Sequence, residues 1–212
     1  MALNSSNNQQ LMGVKFREWT LGEVLGSGDS ATVYSATDGT KVVAVKIFHL
    51  DALSKHGLEE ETERIELQLS LVGQDHPNLV QVISGGVAEE LDGTLFLVME
   101  LVPGRTLDKC AADVPRGTIV PLLKQLVEAN RFLESKELVH RDIKPANIVI
   151  SDDFTKLTLL DLGIVKNLVA DDSGRLSGYR FVATSRYSPP EFVWRTEAES
   201  AEAWRAVTVY QI

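Results

Sequence analysis

The run His140-Arg141-Asp142-Ile143-Lys144-Pro145-Ala146-Asn147, followed fourteen residues after Asn147 by Asp161-Leu162-Gly163, constrains this chain more than any other stretch. Two short apolar runs, Ile148 to Ile150 and Leu157 to Leu159, read as strands that bracket the loops. Gathered by such a fold, Asp142 supplies a proton acceptor and Lys144 a phosphate-facing cation. Asn147 and Asp161 supply two hard oxygen ligands, the donor type magnesium takes beside nucleotide phosphates. The chemistry these residue types support is phosphoryl transfer.

The two halves of the chain differ in character. From Trp19 to Phe48, β-rich runs alternate with Gly, Asp and Ser, which predicts strands over Thr20 to Leu25, Ala31 to Ala36 and Lys41 to Phe48. Asp38-Gly39 sits between the last two as a tight-turn signal. Residues 52–72 carry Leu58, Ile65, Leu67, Leu69 and Leu71 among many Glu, predicting a helix with an acidic face. Strands follow over Val80 to Ser84 and Leu95 to Glu100, with Asp92-Gly93 turning between them, and Val102-Pro103-Gly104 reads as a linker. After it, apolar residues recur at helical spacing over residues 117–137. Residues 1–16 are assigned to a disordered tail on the polar run at 4–10.

Leu25-Gly26-Ser27-Gly28-Asp29-Ser30-Ala31-Thr32-Val33 lies between two predicted strands, where glycines let the backbone approach phosphate oxygens. Alone, the pair of glycines fits an ordinary hairpin turn equally well. Val43-Ala44-Val45-Lys46 then ends a strand on a lysine 18 residues after Gly28.

Taken together, these motifs resemble the eukaryotic-type protein kinases of the serine/threonine branch. The spacing H-R-D-x-K-x-x-N resembles their catalytic loop, Asp161-Leu162-Gly163 their D-F-G triplet and Pro189-Pro190-Glu191 their A-P-E. The resemblance covers roughly residues 17–212 and implies an α+β, two-lobed fold. A β-rich N-lobe with one main helix would occupy about 17–99, a hinge about 100–104, and a mostly helical C-lobe about 105–212.

The resemblance also implies roles. Asp142 would accept the substrate hydroxyl proton and Lys144 would neutralise the transferred phosphoryl group, with lysine there typical of Ser/Thr-directed members. Asn147 and Asp161 would hold Mg2+. Leu25, Gly26, Ser27 and Gly28 would cover the phosphates of ATP, and Lys46 would hold the α- and β-phosphates. Counted back from His76-Pro77-Asn78, Glu66 or, one turn earlier, Glu63 would orient Lys46. Val33, Ala44 and Val149 would sandwich the purine, Glu100 and Val102 would meet adenine through the backbone, and Met99 would guard the pocket behind. Arg141 would link activity to phosphorylation among Ser173, Ser177, Tyr179 and Ser185, while Thr184 would be structural. Ala31 departs from the third glycine of the family loop, and Ser30 from its aromatic tip.

The resemblance further implies a longer domain, so the chain is expected to be truncated in its C-terminal lobe. Glu202-Ala203-Trp204 would open a buried helix, the helices covering Trp204, Val207, Val209 and Tyr210 would be missing, and Glu191 would lack its arginine partner. The expected function is ATP-dependent phosphorylation of protein substrates. Two alternatives stay open: a nucleotide-binding, pseudokinase-like scaffold or inactive fragment, and phosphotransfer to a small molecule. A net charge of −9 argues against a nucleic-acid partner. A single cysteine, Cys110, fits a reducing, cytoplasmic setting, and no apolar run predicts a membrane span.

Overall fold

The computed structural model describes residues 11–28, 30–49, 58–161, 166–167, 185–194 and 200–212. The chain forms two compact units, one built from residues up to Gln74 with Gln81–Leu101, the other from Asp75–Val80 with Val102–Ile212.

Among the described residues, the first unit holds a six-stranded antiparallel sheet and one α-helix. Its strands are β1 (Lys15–Phe16), β2 (Trp19–Ser27), β3 (Ala31–Thr37) and β4 (Val42–Phe48). Helix α1 (Leu58–Leu69) follows, then β5 (Val82–Ala88) and β6 (Thr94–Glu100), in the sheet order β1-β2-β3-β4-β6-β5. Both tight turns lie where Asp-Gly predicts them: Asp38 accepts the N–H groups of Thr40 and Lys41, which holds its carboxyl at about 2, and Asp92 sits at φ 55 before Gly93. Strand alternation sorts the side chains. Tyr34, Val43, Val45, Ile47, Phe96 and Val98 join Phe16, Trp19 and Leu21 in one buried cluster. Residues on the other face include Val33, Ala44, Lys46, Leu97 and Met99, which the register sets opposite one another. Helix α1 lies on β5, burying Ile65 and Gln68; a Cβ at Gly85 would stand 2.9 Å from the Phe96 carbonyl oxygen and 3.3 Å from Leu69.

Three expectations are corrected here. Residues 11–16 are not tail: Leu11 and Phe16 are buried in the main cluster with Val14 packed against it, and the polar run at 4–10 does not extend into them. The fifth strand runs to Ala88 rather than stopping at Ser84, because pairing with β6 overrides the poor strand propensity of Gly85-Gly86. Residues 75–80 belong to the second unit, where Val80 N–H donates to the Leu159 carbonyl at 2.9 Å and Leu159 N–H to that of Asn78 at 2.9 Å.

The second unit holds β7 (Arg105–Thr106), α2 (Leu107–Cys110), α3 (Ile119–Ser135), β8 (Leu138–Val139), β9 (Ile148–Ile150) and β10 (Leu157–Leu159). After these come β11 (Lys166–Asn167), α4 (Pro190–Val193) and α5 (Ala201–Gln211). Helix α3 buries Leu122, Leu126, Ala129 and Leu133 at helical spacing and packs on β8 and β10. Strands β10, β9 and β7 form one small sheet, β11 and β8 another. Helix α5 starts at Ser200, whose hydroxyl accepts the Ala203 N–H at 3.1 Å. Trp204 and Val207, expected to lie uncovered, are 1% and 0% exposed and pack against Val139; Val209 and Tyr210 are 75% and 57% exposed. The fold class is therefore α+β, a β-rich unit with one main helix followed by a unit richer in helix. Among the described residues, no helix is long and apolar enough to cross a membrane.

Candidate active site

Proline and alanine end the polar octet in a short 3-10 turn, Pro145–Asn147, whose tightness folds Asn147 back on the segment it follows. Asn147 Nδ2 donates to the Asp142 carbonyl at 2.9 Å and to Asp142 Oδ2 at 3.1 Å. The same Oδ2 takes Lys144 Nζ at 2.6 Å. Asp142 is 7% exposed, so its carboxylate lies beside an ammonium and an amide donor rather than in bulk water. With Nδ2 spent on Asp142, the Asn147 Oδ1 is the atom that can serve as a ligand. Leu160 N–H donates to the Asn147 carbonyl at 2.7 Å, which ties β10 and the adjoining Asp161, at φ 54, to this turn.

His140 is the element the sequence reading left unused. Its Nε2–H donates to the Leu160 carbonyl at 2.8 Å, and Nδ1 accepts the Asp142 N–H at 3.3 Å, an arrangement only the neutral ring can make. Complete burial lowers its pKa; the Leu160 carbonyl and the charges of Asp161 and Asp142 oppose the shift. His76 shifts the same way through burial. A histidine that stays neutral when folded but takes a proton when unfolded costs stability as pH falls below its ordinary value near 6.5. The unfolding free energy from urea titrations should therefore fall between pH 7 and 5, with His140 contributing at most about 1.4 kcal/mol per pH unit. Midpoints that stay level over this range in a series of urea titrations would show that His140 is not held neutral.

In the first unit, Lys46 lies on β4 with Val33 and Leu97 as its cross-strand neighbours, its Nζ 5.4 Å from the Phe48 ring centroid. Glu63 and Glu66 are both exposed on α1. Gly26 and Gly28 stand at the β2–β3 turn, and neither needs to be glycine for the chain's own sake: neither has positive φ, and a Cβ would meet nothing within 4 Å at Gly26 and only ordinary contact at Gly28. Residues the fold does not demand point to a requirement outside it. Beneath them runs a polar chain no motif announced: Ser27 Oγ lies 3.3 Å from Thr32 Oγ1, which lies 2.9 Å from His49 Nε2, with Thr32 and His49 both buried. Gly28 N–H to Ala31 and His49 N–H to Ser30 close the hairpin around Ala31.

Glu100 donates its N–H to the Gln81 carbonyl at 2.9 Å, so an adenine contact from Glu100 must use its own carbonyl. Met99 is buried on β6, Val102 is half-buried, and Val149 is buried on β9 with Thr106 and Thr158 as neighbours. Leu162, Gly163, Ser173, Ser177, Tyr179, Thr184 and the side chains of Ser185 and Glu191 lie outside the described residues.

Among the described residues there is no group of three His, Cys, Asp or Glu suited to a metal. Asn147 and Asp161 fit Mg2+ instead, an ion that takes one or two protein oxygens and completes its shell with phosphate and water.

The protein kinase domain family matches residues 19–210. The chain is 33% identical over 174 residues to the serine/threonine-protein kinase pkn2 of Myxococcus xanthus, covering 79% of this chain and 20% of that protein. It is 31% identical over 179 residues to the serine/threonine-protein kinase PknB of Mycobacterium leprae (strain TN), covering 82% and 28%. With Aurora kinase A-A of Xenopus laevis it shares 29% identity over 204 residues, covering 90% and 47%. The chain thus spans less than half the length of each of these relatives.

Proposed function

Because this chain belongs to the protein kinase domain family, we propose that it transfers the γ-phosphate of ATP to Ser or Thr hydroxyls of protein substrates. The observation that carries this reading is Asp142, whose buried carboxylate is held at one oxygen by Lys144 and Asn147. A carboxylate oxygen of Asp142 is assigned to accept the substrate O–H. As that oxygen takes the proton, the hydroxyl oxygen bonds to the γ-phosphorus and the bond to the β-phosphate oxygen breaks, giving phosphoester and ADP. Orientation of the hydroxyl matters at least as much as the proton, since phosphoryl transfer is mostly a problem of positioning and charge. Lys144, 24% exposed and paired with Asp142, is assigned to the phosphoryl oxygens as their charge shifts.

Asn147 Oδ1 and Asp161 would hold the metal, which when bound neutralises phosphate charge. In the first unit, Lys46 is assigned to the α- and β-phosphates, with Glu66 or Glu63 to orient it, and Leu25, Gly26, Ser27 and Gly28 to the phosphate cover. Val33 and Ala44, on the same sheet face as Lys46, are assigned to the purine. Val149, Glu100 and Val102 keep the purine contacts that the family implies. The substrate class rests on Lys144 and on the names of the relatives.

Incubating the chain with γ-labelled ATP, Mg2+ and a pool of Ser-, Thr- and Tyr-containing peptides should label Ser and Thr. Lys46→Met should lower labelling about 10²-fold or more. Equal labelling by both proteins refutes the assignment. Nucleotide binding with no labelling identifies the scaffold alternative.

A further inference from the structure

Helix α5 ends against the catalytic segment. Gln211 Nε2 donates to the Arg141 carbonyl at 3.0 Å, and its Oε1 accepts the Ile143 N–H at 3.2 Å. Those two groups belong to the two peptide units on either side of Asp142. One side-chain amide thus spans both planes that set the direction of the Asp142 Cα–Cβ bond.

The bracing has something to hold. Arg141 has φ 65, in the left-handed region, which costs an L-residue on the order of 1 kcal/mol and survives only where the surroundings impose it. Two turns back on the same helix face, Trp204 lies with its ring centroid 5.1 Å from the Arg141 guanidinium carbon. The indole anchors the arginine side chain, while Gln211 anchors the backbone. The two residues differ in kind: Trp204 is buried in a hydrophobic cluster, whereas Gln211 is only half-buried and spends both ends of its amide on one loop.

We propose that Gln211 is a positioning residue for the transfer step, holding Asp142 aimed by bridging the peptide groups that flank it. This rests on the kinase reading above. Gln211 touches neither nucleotide nor substrate hydroxyl; it acts through Asp142. Its loss should therefore lower kcat and leave the KM for ATP within about twofold, a split that general loosening of the fold does not produce.

Two variants separate the terms. Gln211→Met keeps length and removes both hydrogen bonds. Gln211→Glu keeps the acceptor for Ile143 and removes the donor for Arg141, and it serves as the second variant should the first not fold. Exchange of the Ile143 amide should quicken roughly tenfold in Gln211→Met and stay near wild type in Gln211→Glu, with the Leu160 amide, bonded to Asn147, unchanged in both. The kcat should fall by about 10- to 100-fold in Gln211→Met and less in Gln211→Glu. An Ile143 amide that exchanges at the wild-type rate in Gln211→Met, or a kcat that does not move in a turning-over enzyme, overturns the proposal. A wild-type chain that transfers no phosphate overturns the kinase reading instead, and the exchange measurement, which needs no turnover, still decides whether Gln211 braces the loop.

Discussion

Asp142→Ala is expected to yield a protein that folds and binds ATP as the parent does but transfers phosphate about 10³-fold more slowly. The fold survives because Asn147 Nδ2 keeps its 2.9 Å hydrogen bond to the carbonyl of residue 142, which alanine retains. Lys144, partly exposed, finds water in place of the carboxylate. Nucleotide affinity holds because the residues assigned to the phosphates and purine are elsewhere. What disappears is the acceptor for the proton and the group that aims the hydroxyl, so the loss falls on kcat. Steady-state kinetics with a nucleotide titration and a melting curve check all three parts. Turnover within tenfold of wild type would remove Asp142 from its role.

Gly104→Val is expected to destabilise the second unit by about 3–5 kcal/mol, a large share of the stability of an ordinary domain. Gly104 has φ 124, which side-chain-bearing residues rarely adopt, and an added Cβ would overlap the Ile150 carbonyl. That carbonyl belongs to β9, which pairs with both β7 and β10, so backing away would pull apart the small sheet beneath the catalytic turn. Gly39→Ala is the contrast: its φ is 92, but a Cβ there meets nothing within 4 Å, so only the backbone term of about 1 kcal/mol applies. Chemical denaturation of both variants gives the comparison, and equal losses at the two sites would show that the Ile150 contact costs nothing.

Much of this was legible because it is local. Strands β9 and β10 run over the residues their apolar runs predict, and α3 lies within the predicted 117–137. The contact of Asp142 with Asn147 spans five residues, so spacing alone encodes it. The residues that escaped notice act over distance. Gln211 reaches a loop 68 to 70 residues away, and Asn78, read only as a counting mark, donates to Gln125 and to the Leu157 carbonyl, 79 residues on. A lone amide carries no period and no composition bias, so nothing in the string distinguishes it from a solvated side chain. Thr32 and His49 were hidden differently: both stand in strand-like surroundings, where burial of a polar pair becomes visible only through the partner each finds.

The excursion of Asp75–Val80 into the second unit means that the chain passes between units three times, after Gln74, after Val80 and after Leu101. The halves are consequently not interchangeable cassettes. A hybrid gene spliced only at Leu101 would carry into a foreign host six residues, Asn78 among them, whose hydrogen-bond partners stayed behind with the other parent. Recombination that respects this architecture needs three junctions, with the short insert travelling alongside the larger C-terminal portion.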